Sequence, residues 1–248
     1  MQRRTVLAGL AALPAIAAIR PAFAQEQADM ISTSGGDVGL HPVMHASFAL
    51  TFGDQVIYVD PADHSFAGLP KPTAILITHV HGDHYDPDNL ATLAGTTVPI
   101  WVNEDVYGKL PEALKGQATA LKNGDTGSIN GIPVEAIPAY NLTADRLKFH
   151  PKGVGNGYVL TFGDKKIYAS GDTEDIPEMR ALTGIDVAFV CMNLPNTMDI
   201  NQAADAVKAF KPKIVYPYHS RGQDVEAFKA LVGDASEVRI ANWYPAAG

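Results

Sequence analysis

The chain has 248 residues, 46% of them hydrophobic and 19% charged, with a formal net charge of −8. That length suffices for one domain with a substantial core, and the composition excludes a disordered or collagen-like chain. The acidic balance argues against DNA or RNA as partners, since backbone phosphates attract basic surfaces.

The first residues stand apart. Met1-Gln2-Arg3-Arg4-Thr5 precedes an alanine-rich apolar run from Val6 to Ile19, and Ala22-Phe23-Ala24 comes just before Gln25. A basic start, a short apolar stretch and an A-x-A end predict a signal peptide over residues 1–24, cleaved after Ala24. The run contains Pro14 and is too short for a comfortable membrane span, so no stable membrane anchor is expected after cleavage. Arg3-Arg4 resembles a twin-arginine signal, which implies the twin-arginine export machinery as a partner and a periplasmic or secreted protein exported folded. Cleavage removes Arg3, Arg4 and Arg20 and no acid, taking the formal charge from −8 to −11.

Residues 25–36 read as a polar leader and residues 37–248 as one domain, with no linker rich enough in Pro, Gly or Ser to divide it. Met44 to Thr51 reads as a strand, Phe52-Gly53-Asp54 as its turn, and Gln55 to Val59 as the return, ended by Asp60-Pro61. Ala74 to Ile77 is a buried strand, and Pro99 to Val102 another apolar run. Asp105 to Leu110 is a short helix stopped by Pro111. The plan then repeats: Gly157 to Thr161, a Phe162-Gly163-Asp164 turn, and Lys165 to Ala169. Two such hairpins 110 positions apart, ending at Asp60 and Asp172, predict two pseudo-symmetric halves. Strand and helix alternate afterwards. Val187 to Val190 is a strand, Gln202 to Phe210 a helix capped by Asn201, and Ile214 to Tyr216 a strand. Val225 to Val232 is a helix closed by Gly233, and Val238 to Ala241 a last strand. The fold class is therefore α/β, buried sheets with helices outside. The one cysteine, Cys191, lies in the apolar run Val187–Cys191 and reads as a small core residue.

The chemistry concentrates in Thr78-His79-Val80-His81-Gly82-Asp83-His84. Three imidazoles and a carboxylate directly after a buried strand suit one or two transition metals. On extended backbone, His79 and His81 point to the same side and can bind a first metal together. Gly82 lets the chain turn, so that Asp83 and His84 can face a second. Two further positions stand at strand ends, where α/β sheets expose their chemistry: Asp172 in Ser170-Gly171-Asp172-Thr173, and His219 in Tyr216-Pro217-Tyr218-His219.

In this order, H-x-H-x-D-H, then G-D-T, then a histidine, the sequence resembles the metallo-β-lactamase superfamily over roughly residues 37–245. His45-Ala46-Ser47-Phe48 resembles its lactonase-like branch, which includes ascorbate-phosphate lactonases and lipid phosphodiesterases. The resemblance implies an αββα sandwich and two divalent metal ions, zinc first, with manganese or iron as alternatives. It implies His79 and His81 on the first metal, Asp83, His84 and His219 on the second, and Asp172 bridging them. Asp60 and His45 would orient ligands or touch substrate. A metal-bridging hydroxide would attack a small ester, lactone or phosphodiester, with Asp83 orienting it and His45 available to a developing oxyanion. Alternatives are a phosphodiesterase for lipid or nucleotide esters, or a non-catalytic metal-binding module. The second rests on one departure from the family pattern. No histidine follows the strand Val134 to Pro138, where the first metal's third ligand usually stands. Tyr140 or Asn141 is expected in that place, with His150 near the pocket but outside the ligand set.

Overall fold

The two Phe-Gly-Asp turns sit in hairpins of matching register. Phe52 to Phe48 pair with Gln55 to Val59, and Phe162 to Tyr158 pair with Lys165 to Ala169, so each pair of the second lies 110 positions after its counterpart. The computed structural model describes residues 28–62, 66 and 68–245, and the expected signal peptide lies outside them. Its first half runs β1 (Asp29–Thr33), β2 (Gly36–Met44), β3 (Ser47–Phe52), β4 (Gln55–Val59), β5 (Ala74–Leu76), α1 (Pro87–Ala94), β6 (Ile100–Val102), α2 (Glu104–Lys109), α3 (Glu112–Lys115) and β7 (Ala118–Ala120). The second runs β8 (Thr126–Ile129), β9 (Ile132–Ala139), β10 (Gly155–Phe162), β11 (Lys165–Ala169), α4 (Pro177–Arg180), β12 (Val187–Cys191), α5 (Ile200–Phe210), β13 (Ile214–Tyr218), α6 (Val225–Val232) and β14 (Glu237–Val238).

Each half forms its own sheet, with strands in sequence order from β1 to β7 and from β8 to β14. In both, the first four strands pair antiparallel and the last four parallel. The halves are thus the same supersecondary plan twice, as the spacing predicts.

Period-two patterning explains the layering. Phe48, Leu50, Ile57 and Val59 point into the core between the sheets, while Ala49, Val56 and Tyr58 join a second core under α1 and α2 with Leu90, Ala94 and Val106. Both faces of the sheet are buried, so its strands read as continuous apolar runs. The second sheet is covered outside by α5 and α6 through Ala203, Val207, Phe210 and Phe228. The result is the expected αββα sandwich.

Several local expectations need correction. Residues 29–33, read as leader, form β1, which pairs with β2 across the turn at residues 34 and 35. Only Ile31 of that strand is buried, so an edge strand with one inward side chain leaves little apolar signal. The strand from Met44 is interrupted at His45, whose φ of 53° closes the β2–β3 turn. Helix α5 starts earlier than predicted. Asp199, not Asn201, caps it, in a capping box with Gln202. Asn103 caps α2, and Asp86 caps α1 with Pro87 in its first turn. The last strand stops at Val238.

Candidate metal centre

The parallel strands end on one side of the sandwich, and the polar residues collect there. Asp60 follows β4, His79 to His84 follow β5, Asp172 follows β11 and His219 follows β13. The turn between β2 and β3 adds His45, and the longer connection between β9 and β10 adds His150. His45, Asp60 and His219 all have positive φ, at 53°, 47° and 49°. Left-handed backbone is uncommon outside glycine and collects where function over-determines it.

The loop after β5 closes on itself, with the amides of His84 and Tyr85 donating to the His81 carbonyl at 2.9 Å each. Gly82 does not need the left-handed region, and a Cβ there would meet nothing within 4 Å. The turn therefore comes from these hydrogen bonds and not from glycine's freedom. Gly171 is different. Its φ is +59°, and a Cβ there would lie 2.8 Å from the Asn156 carbonyl oxygen and 3.1 Å from Thr78 Cβ. Its missing side chain lets the segment carrying Asp172 lie against the loop carrying His79.

Two groups of ligand-type atoms result. In the first, His79 Nε2 lies 3.0 Å from His81 Nδ1, which lies 3.2 Å from His150 Nε2. Asp172 Oδ2 lies 3.2 Å from His150 Nε2 and 4.0 Å from His79 Nε2. In the second, Asp172 Oδ1 lies 3.3 Å from His84 Nε2 and 3.7 Å from His219 Nε2. Asp83 Oδ2 lies 3.1 Å from His219 Nε2, and Asp83 Oδ1 lies 4.0 Å from His84 Nε2. The structure thus brings His79, His81, His150 and Asp172 together and His84, Asp172 and His219 together, the two sharing Asp172, while Asp83 groups with His219 and His45.

His150 therefore enters the first group, against the expectation for Tyr140 and Asn141. The Tyr140 hydroxyl donates to Glu178 Oε2 at 2.8 Å and accepts from Lys152 Nζ at 3.1 Å, which holds it away from the histidines. Asn141 works as a brace: its side-chain amide donates to the carbonyls of Arg146 and Asn196, and its backbone amide to the His150 carbonyl. Glu174, buried, accepts the Leu142 and Thr143 amides at 2.6 Å and Arg146 Nη1 at 2.7 Å, fixing the same loop. The Asn196 carbonyl accepts from His150 Nδ1 at 3.1 Å, which turns the Nε2 lone pair toward His81.

Beneath the groups lies Asp60, fully buried. It accepts the Thr78 amide and hydroxyl at 2.7 Å each and His84 Nδ1 at 2.8 Å. The Thr78 hydroxyl also sits 3.0 Å from His79 Nδ1. Thr78 opens the motif, and its role as the link between Asp60 and His79 is visible only in the structure. The His45 ring lies against that of His219, with centroids 3.9 Å apart and planes tilted by 34°. Its Nε2 lies 3.2 Å from Asp83 Oδ2 and its Nδ1 2.9 Å from the Tyr244 hydroxyl.

Electrostatics set these groups against one another. Burial pushes the pKa of His79 well below its ordinary value, and burial also lowers those of His81 and His45. Burial would lower His84 as well, but Asp172 and Asp60 outweigh it and raise its pKa well above the ordinary value. Asp172 stays well below the carboxylate range: burial opposes this, and the charges of His219 and His84 prevail. With its Nδ1 proton given to Asp60, His84 turns the Nε2 lone pair at Asp172 Oδ1. Both atoms are buried without a hydrogen-bond partner. Two lone pairs facing each other need a cation between them, a proton or a metal. The donor set, imidazole nitrogens around a shared carboxylate, fits a metal.

Comparison with known proteins agrees. The family description "Beta-lactamase superfamily domain" matches residues 40–219. A UPF0173 metal-dependent hydrolase from Pyrococcus abyssi is 31% identical over 216 residues, 79% of this chain and 92% of that protein. One from Pyrococcus horikoshii is 32% identical over the same shares. The crystal structure of a candidate metal-dependent hydrolase from Parabacteroides distasonis is 42% identical, with a TM-score of 0.81 over 86% of this chain and 97% of that one. A metallo hydrolase from Ignicoccus hospitalis shares the fold, at 24% identity and a TM-score of 0.69 over 82% of this chain and 94% of that one.

Proposed function

The chain belongs to the metallo-β-lactamase superfamily, among the proteins named UPF0173 metal-dependent hydrolases, and from that premise we propose that it is a metal-dependent hydrolase of a small ester, lactone or phosphodiester. The Asp172 carboxylate carries this reading. Its Oδ2 faces the three-histidine group and its Oδ1 faces His84 and His219. One carboxylate between two nitrogen-rich groups suits a pair of cations. His79, His81 and His150 would hold one, Asp83, His84 and His219 the other, with Asp172 shared. Zinc is the expected metal, with manganese or iron able to use the same donors. Such a pair supplies an acidified water and Lewis acidity toward the substrate and leaving-group oxygens.

The protein's own groups supply orientation. Asp83 is the open member of the set, its side chain 43% exposed. Against the burial that would raise it, hydrogen bonds from His219 and His45 hold its carboxyl far below the ordinary range, so it remains an acceptor at neutral pH. Facing the opening, it would accept a hydrogen bond from the attacking water and align that water. His45 holds Asp83 in place through Nε2, 3.2 Å from Oδ2, and stands where its N–H would also be within reach of a developing oxyanion. Cys191 takes no part, because burial pushes its thiol up to about 12. A lactone or phosphodiester is favoured over a β-lactam by the lactonase-like segment at His45.

Export through the twin-arginine route, with the mature chain starting at Gln25, belongs to the same proposal and rests on Arg3-Arg4 and Ala22-Phe23-Ala24. The reading as a non-catalytic metal-binding module loses its motive, since His150 supplies a third imidazole. Elemental analysis of the exported protein should give two metals per chain. A lactone and phosphodiester panel should show turnover that chelation removes and metal restores. One metal per chain with no turnover across the panel would instead favour the binding module.

A further inference from the structure

The described residues include four arginines, and three of them meet carboxylates. Arg146 bonds Glu174 at 2.7 Å, Arg180 bonds Asp175, and Arg239 bonds Glu237 at 2.7 Å with Asp29 at 3.7 Å. Arg221 has no carboxylate partner among the described residues. Its guanidinium lies instead over the ring of Tyr244, 5.7 Å from the centroid. It is exposed and follows His219 by two positions, on the loop that leaves β13.

This seat is tied to the metal centre. The Tyr244 hydroxyl is 2.9 Å from His45 Nδ1, and His45 Nε2 is 3.2 Å from Asp83 Oδ2. The backbone closes the same circuit, since the His45 amide donates to the Trp243 carbonyl at 2.8 Å and the His219 amide to the His45 carbonyl at 3.0 Å. A groove beside it is lined by Ser220, Arg221, Gln223, Asn242 and Tyr244. A guanidinium lying on an aromatic face keeps its outer N–H edge free, in the fork that matches carboxylate or phosphate oxygens. In a chain of net charge −8, a guanidinium with no carboxylate partner among the described residues, seated beside the site, is an attraction for an anion.

We propose that Arg221, seated on Tyr244, is the subsite for an anionic group, a carboxylate or a phosphate, on the substrate. The inference rests on the hydrolase reading and narrows its substrate to an ester or lactone that carries a negative charge away from the bond cleaved.

The test is a ligand-observed NMR titration of the metal-loaded protein with monomethyl succinate, methyl phosphate and neutral dimethyl succinate. Arg221→Gln should weaken both anions roughly tenfold or more, as loss of a charged hydrogen-bond pair does. Dimethyl succinate binding and metal content should not change. The anion that loses more identifies the carboxylate or the phosphate as the preferred group. Tyr244→Leu, which removes the seat and keeps the charge, should weaken the same anions by less. Equal affinity of wild type and Arg221→Gln for both anions would overturn the subsite, as would equal weakening of the neutral diester. Turnover is not needed for this titration. A protein that binds anions through Arg221 yet hydrolyses nothing would sink the hydrolase reading and leave the subsite standing.

Discussion

Asp60 Oδ2 lies 2.8 Å from His84 Nδ1, and neither side chain is exposed to solvent. The contact fixes the His84 tautomer, with Nδ1–H toward Asp60 and the Nε2 lone pair toward Asp172. Through the Thr78 hydroxyl, the same carboxylate reaches His79 Nδ1. One buried acid thus aims one histidine from each group.

Asp60→Asn tests this control. An amide of the same shape must turn its N–H group either to the Thr78 backbone amide, at the Oδ1 position, or to the Thr78 hydroxyl and His84 Nδ1 together, at the Oδ2 position, so it loses a buried bond to the loop or both aims at once. Outer-partner changes of this kind cost about 10–100-fold in metal affinity or activity. Competition with a coloured chelator should show that loss while the circular dichroism spectrum is kept. Unchanged affinity would mean that Asp60 serves the loop's backbone only.

His150→Ala should remove close to one equivalent of metal, because it deletes one of three imidazoles from the first group. Tyr140→Phe should leave metal content as it is, since the hydroxyl is committed to Glu178 and Lys152. Elemental analysis of both variants decides the matter. Full metal content in His150→Ala would return His150 to the role of a substrate-loop residue.

The sequence made the loop from His79 to His84 legible because its ligand-type residues are neighbours in the chain, behind one apolar strand. Asp172 and His219 were legible because each ends a strand. His150 was not, because its place depends on contacts from distant segments: Asn196 at its Nδ1, Asn141 behind it, and Glu174 with Arg146 across the loop. The pseudo-symmetry suggests a signal that was available. The turn from β2 to β3 carries His45, and the corresponding connection from β9 to β10 carries His150. Each half therefore sends one histidine to the centre from the same point of its hairpin. Strand β1 and the cap at Asp199 were missed for local reasons: one buried apolar residue in an edge strand, and four capping-type residues, Asn196, Thr197, Asp199 and Asn201, close together in the chain.

The seam between the halves can be probed at Phe189. Its ring stacks on Phe48 with centroids 4.3 Å apart, β12 against β3, and neither is more than 1% exposed. Phe189→Ala should cost about 3–5 kcal/mol of stability, as large-to-small changes at buried aromatics do. Phe48→Ala should act in the same direction, and the double variant should fall short of the sum because the two rings share one contact. Chemical denaturation of the metal-loaded protein measures all three. A loss below about 1 kcal/mol for Phe189→Ala would mean that the sheets do not depend on this stack.

The rim offers a pH-dependent contact between the halves. Asp164, in the β10–β11 turn, accepts the Ser34 amide from the β1–β2 turn at 2.7 Å and Lys165 Nζ at 2.7 Å. The Lys165 hydrogen bond, with the Ser34 amide second, lowers its carboxyl from 3.8 to about 2. A lowered carboxyl pKa means that the folded state favours the anion. Its stabilisation is present above 3.8 and is lost as the pH falls through about 2. Asp164→Asn should therefore melt slightly below wild type at pH 6, with the gap shrinking between pH 4 and pH 2. The group is exposed, so the effect is small and should fade in high salt. Thermal melts of the two proteins side by side at each pH cancel any common loss of metal. A gap that persists unchanged at pH 2 would show that the negative charge is not what joins the two turns.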